Sequence, residues 1–288
     1  MEQEKNPFLQ KIANQIRLSP FTINLPVLMA AICDENLSFR QLATALNQYP
    51  VIAARLLSLA NSAWIAPVSP ITTIESACSR LGTAIVKSVS IAIAVSSSFN
   101  AASCPNFDTV HFWTTSILVV EGAFLLATGL PKEQRGEFPK TAQTAGILHG
   151  LGLLWLAENL PNETSLALQR IAADNALSLN DALMDCTGTD YCQVGAWIGK
   201  QWKLPETLVV AMQEHLDFNY HGHNFEMAQL IGSALQMVTV LPKQDDTVLP
   251  VNDTLLQLGI DYPKQAIIFQ KLANKYGQTR NLAKELFL

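Results

Sequence analysis

Asp108-Thr109-Val110-His111-Phe112-Trp113-Thr114-Thr115-Ser116-Ile117-Leu118-Val119-Val120-Glu121-Gly122-Ala123-Phe124-Leu125-Leu126-Ala127-Thr128 is the stretch whose reading decides the fold. At 3.6 residues per turn, Phe112, Ser116, Val119 and Ala123 share one face. Trp113, Ile117, Val120 and Phe124 fill the adjacent one. A helix apolar over so wide an arc belongs at the centre of a bundle. Gly129 and Pro131 stop it.

Working outward, almost every segment repeats this period, and strand alternation is hard to find, so the predicted fold class is all-α. Asn24-Leu25-Pro26 opens one helix with proline in its first turn. Ser38 caps the next, with Leu42, Ala45, Leu46 and Tyr49 as its inner face. Pro50 starts a third, striped by Ile52, Leu56 and Leu59. Further on, Val194, Trp197, Ile198 and Trp202 form one amphipathic face. Leu204-Pro205-Glu206 restarts the chain with an acidic first turn, and residues 227–241 make another helix. Breaks at 100–107 and 242–250 divide the chain. The expected parts are an extension (1–18), an N-terminal helical half (19–100), a central bundle (101–241) and a C-terminal helical extension (242–288).

Bulk properties narrow the function classes. The chain has 288 residues, of which 49% are hydrophobic and 15% charged, so it can bury a large core. Its net charge of −5 argues against general nucleic-acid binding, which needs a basic face. Met1-Glu2-Gln3-Glu4-Lys5 is not a secretory start. The most apolar runs, 84–95 and 117–127, are interrupted by Lys87 and Glu121 and fall short of the roughly 20 residues a bilayer span needs. Cys33, Cys78, Cys104, Cys186 and Cys192 show no Cys-x-x-Cys spacing, which argues for reduced thiols and a cytoplasmic protein.

Three segments in order carry a family likeness. They are Tyr49-Pro50-Val51-Ile52-Ala53-Ala54-Arg55-Leu56-Leu57-Ser58-Leu59-Ala60-Asn61-Ser62-Ala63, then Ile71-Thr72-Thr73-Ile74-Glu75-Ser76-Ala77 leading to Leu81-Gly82, then Val194-Gly195-Ala196-Trp197 with Trp202-Lys203-Leu204-Pro205-Glu206. Together they resemble the HDOD family, the HD-related output domain of bacterial signalling proteins, over about residues 19–220. The resemblance implies a multi-helix HD-like bundle with an N-terminal helical subdomain. Arg55, Asn61 and Ser62 stand at its most specific motif positions. Arg55 is expected to hold a helix pair through a carboxylate.

HD-superfamily hydrolases hold one or two metals through a His on the long helix, a His-Asp pair and further His and Asp residues, and the metal activates water for phosphoester attack. The resemblance places these positions at Thr115, at His149-Gly150 and at Tyr191, with His215 matching half of a common His-His pair. Gly150 offers no oxygen to a metal, and no carboxylate stands in 227–241 where the last Asp is expected. The degenerate pocket thus comprises Thr115, His149, Gly150, Tyr191 and His215, and no catalytic residue is expected. His149 reads as a histidine hydrogen-bonded within the bundle; Gly150 and Gly152 read as close-packing positions. Asp217, His221 and His223, with Glu226, form a second possible metal group beside His215 and His149, although a solvated loop explains them as well. Glu121 is expected to pair with an Arg or to face a groove.

The function expected is a non-catalytic regulatory module that binds a signalling protein or a small ligand, a nucleotide among the candidates, with no cofactor. The degenerate groove between the long helix and the His149 helix is the expected pocket. The alternative is a metal-dependent HD phosphohydrolase with ligands drawn from His149, His215, Asp217 and His221, in which case a divalent metal is the cofactor.

Overall fold

The computed structural model describes residues 38–242 apart from 63–64, 66, 68, 97–98, 100, 137 and 175, together with 252–287 and Leu28. The helix start at Asn24-Leu25-Pro26, the extension 1–18, Cys33 and most of the break at 242–250 lie outside the described residues. No strand occurs among the described residues.

Local chemistry sets the helix starts. In α1 (Phe39–Leu46) the Ser38 side chain caps the Gln41 backbone, and the Gln41 side chain returns the bond to the Ser38 N–H. Leu42, Ala43 and Leu46 face inward; Ala43 takes the inner position that periodicity assigns to Ala45. Pro50 opens α2 (Pro50–Ala60), where the missing N–H has no partner to lose. Then come α3 (Ile74–Leu81), capped by Thr73, and α4 (Thr83–Ser96). Asp108 caps α5 (Thr109–Gly129) by accepting from the His111 N–H.

The bundle continues through α6 (Lys132–Arg135), α7 (Phe138–Leu148), α8 (Leu151–Asn159), α9 (Pro161–Ala173), α10 (Leu179–Thr187) and α11 (Tyr191–Gln201). It closes with α12 (Glu206–Glu214), α13 (Phe225–Val240), α14 (Asp253–Gln257) and α15 (Tyr262–Phe287). Helix α5 is the axle, packed by α7, α13 and α15. It is long and apolar enough to cross a bilayer, but these three helices cover it. Its width of apolar surface is matched by neighbours rather than by lipid.

One contiguous hydrophobic core runs from Leu28 to Leu286. The C-terminal helices are part of it. Phe287 stacks on the buried Trp113 ring with centroids 4.3 Å apart, and Arg55 donates to the Leu286 carbonyl at 2.8 Å. Arg55 therefore joins α2 to α15 through a backbone carbonyl, not through the carboxylate expected of it. That carbonyl lies in the last turn of α15, where helix oxygens lack partners and carry partial negative charge. Glu121 pairs with Lys275 of α15 at 2.7 Å rather than with an Arg, and it also lines a pocket, the other placement expected of it. Asn61 clamps the following loop, donating to the Leu57 and Ile71 carbonyls and accepting from the Ile71 N–H. The Ser62 hydroxyl is enclosed without a hydrogen-bond partner.

Candidate functional site

Two close helix approaches assemble the centre. Gly152 of α8 lies against the Tyr191 carbonyl of α11, where any Cβ would collide. Gly232 of α13 lies as tightly against the carbonyl of His215, at the C-terminus of α12. With side chains at these positions, the backbones could not come near enough to bring His149, Tyr191 and His215 together.

His149 follows the last turn of α7 and is 4% exposed. Its Nδ1 lies 2.6 Å from the Gly146 carbonyl, an acceptor, so this nitrogen carries the hydrogen. His215 is 1% exposed, and its ring stands edge-on to that of His149 with centroids 5.4 Å apart. The Nδ1 of His215 donates to the carbonyls of Ala211 and Met212 at 2.9 and 3.2 Å. Its Nε2 is then an acceptor, and the buried Tyr191 hydroxyl donates to it at 3.0 Å. The Cys192 sulfur lies 4.0 Å from the same nitrogen.

Burial controls the charge of all these groups. It pushes His149 down to about 4. Burial, then the neighbouring His149, pushes His215 down to about 3. Burial also holds Tyr191 well above the usual phenol range and raises Cys192 to about 12. The centre is thus neutral at physiological pH, with two uncharged imidazoles, a phenol and a thiol.

The position after His149 explains itself in space. A Cβ on Gly150 would meet Cε2 of Phe112 at 2.9 Å, so an aromatic ring from α5 occupies the place of a carboxylate. The same α5 face meets Gly146 at Val119 and Val120, whereas Thr115 is half-buried with no hydrogen bond to either imidazole. Sequence reasoning missed the role of Phe112, since only tertiary packing brings it to Gly150. Tyr191 was legible as a replaced histidine, but its hydrogen bond was not.

The second possible metal group does not converge. His215 points into the core, while Asp217, His221 and His223 are exposed. Asp217 accepts from the Asn219 N–H, Tyr220 donates to the His223 carbonyl, and Gln229 ties down the carbonyls of Asp217 and Tyr220. Among the described residues, no three His, Cys, Asp or Glu side chains gather as a metal site. The metal of HD hydrolases does not fit this centre. His215 uses both ring nitrogens, no carboxylate reaches His149, and binding would strip Tyr191 of its acceptor.

The helical bundle around the long axle helix matches one known domain. The HDOD domain pattern fits residues 20–218. The chain belongs to the HDOD family. An HDOD domain protein of unknown function from Geobacter sulfurreducens has the same fold at 19% identity, TM-score 0.76, over 98% of each chain. So does a candidate signal-transduction protein from Marinobacter aquaeolei VT8, at 20% identity and TM-score 0.82, over 98% of this chain and 65% of that one. A candidate phosphohydrolase from Shewanella amazonensis SB2B is 25% identical, TM-score 0.71, over 97% of each. No curated protein matches the sequence. The likeness to the Geobacter and Shewanella proteins covers 98% and 97% of this chain, so it extends beyond the residues matched by the domain pattern.

Proposed function

We propose that this HDOD chain is a non-catalytic regulatory module that acts by binding a signalling protein or a small ligand. The observation that carries this reading is the hydrogen bond from Tyr191 to His215, which occupies a lone pair that a metal would need. Phe112 in the carboxylate position supports it. The degenerate centre then serves as a rigid junction of α5, α7, α11 and α12. A ligand entering there has to displace Phe112 or Tyr191. Signalling follows if the ligand or partner prefers one arrangement of the N-terminal half against the bundle.

Elemental analysis of protein purified without added metal, with a phosphodiesterase assay in manganese and iron, tests the reading. Substoichiometric metal and no turnover are expected. Stoichiometric iron, manganese or zinc, lost together with hydrolysis in His149→Ala, overturns it in favour of the HD phosphohydrolase. A thermal-shift panel of nucleotides and cyclic dinucleotides shows whether the ligand is a nucleotide, because selective binding to the native state raises the melting temperature.

A further inference from the structure

We propose that a chamber between the N-terminal half and the bundle binds a small uncharged molecule, apolar over most of its surface and bearing one hydroxyl or amide. The inference rests on the binding-module reading and gives it a site and a ligand class. The chamber lies between α2, α4, α5, α7 and α15, with Leu59, Val89, Ile117, Ile147 and Leu282 among its apolar walls. About 50 Å³ is open to the centre of a water-sized sphere. One water needs about 10–15 Å³ on that measure and a benzene-binding cavity is about 150 Å³, so an aromatic ligand extends beyond the present chamber through its open side.

Two polar groups in this apolar lining lack partners. Ser88 is 3% exposed and Gln143 is 5% exposed, and both Ser88 Oγ and Gln143 Oε1 are enclosed without a hydrogen bond. Buried hydroxyls and amides are normally satisfied, so two orphans on one cavity wall point to something that completes them. A ligand O–H or N–H donates to Gln143 Oε1, and a ligand oxygen accepts from the Ser88 hydroxyl. Water there finds Thr279 and the Glu121–Lys275 pair as its other polar partners, while the rest of the lining is apolar and suits an apolar body better.

The charge at the chamber's rim selects against ions. Glu121 and Lys275 line the chamber and neutralise each other at 2.7 Å, with side chains 29% and 40% exposed. An ionic ligand has to break this pair, whereas a neutral one leaves it intact. The walls come from both halves of the protein, and α15 closes them under the Arg55–Leu286 bond. A ligand there touches α2 and α4 on one side and α5, α7 and α15 on the other.

Phenol and toluene, which share an apolar ring and differ by one hydroxyl, test the proposal by calorimetry and thermal shift on the full chain. Phenol is expected to raise the melting temperature and to bind about tenfold more tightly than toluene. In Ser88→Ala/Gln143→Leu that preference is lost and turns toward toluene, because the phenol hydroxyl is then buried without a partner. The variant is expected to fold, because apolar replacements of unpartnered groups are near neutral in stability. A cooperative melt confirms this. Equal affinity of the two probes, a preference unchanged in the variant, or no binding of either overturns the chamber proposal. Metal-dependent hydrolysis would instead overturn the binding-module reading, whatever phenol does.

Discussion

Acidification should destabilise this protein through two imidazoles at its centre. His149 and His215 are pushed down from 6.5 to about 4 and about 3. Between pH 6.5 and about 4, both are neutral when folded and protonated when unfolded. The unfolded chain thus binds nearly two more protons, so stability is full above pH 6.5 and is lost as pH falls through this window. Two such groups together give a slope of about 3 kcal/mol per pH unit at most. From neutral pH to pH 5 the loss is roughly 4 kcal/mol, a large share of the ~5–15 kcal/mol that holds a typical domain. Glu214, raised mainly by burial and next by Asp217, acts in the opposite sense and flattens the acidic end. Urea unfolding followed by tryptophan fluorescence from pH 7.5 to 5 measures the slope. His149→Gln and His215→Gln, each compared with itself across pH, should each remove about half of it. A wild-type slope retained in both variants refutes the assignment. So does direct titration of either imidazole near 6.5.

Three further outcomes follow from the contacts. Gly150→Asp restores the His-Asp pair in sequence, but the new side chain meets Phe112. It should lower stability by about 1–3 kcal/mol in denaturant titration and acquire no metal by elemental analysis. Tyr191→Phe strips His215 Nε2 of its donor in a buried site, costing about 1–3 kcal/mol by the same assay. Arg55→Ala frees the end of α15, and amide exchange in its last turns should accelerate while α5 stays protected.

Much of the fold was legible because the forces that make helices act over a few residues. The Ser38 cap, Pro50 at a first turn and the apolar arc of α5 all lie within one or two turns of what they control. The inner face of α1 was nearly right, with Ala43 in place of Ala45, since neighbouring positions on a short helix differ little in period. Which residue types stand at Thr115, Gly150 and Tyr191, positions the family likeness assigns to HD ligands, was equally legible.

By itself, then, the sequence determined an all-helical bundle, its family and the residue types at its centre. Which groups replaced that chemistry was decided only by tertiary structure. Phe112 reaches Gly150, Tyr191 reaches His215, Glu121 meets Lys275 across 154 residues and Arg55 meets Leu286 across 231. The orphaned Ser88 and Gln143 meet at one chamber for the same reason. Such pairs depend on which faces of packed helices meet, and glycine approaches at Gly152 and Gly232 set that to within an atom's width.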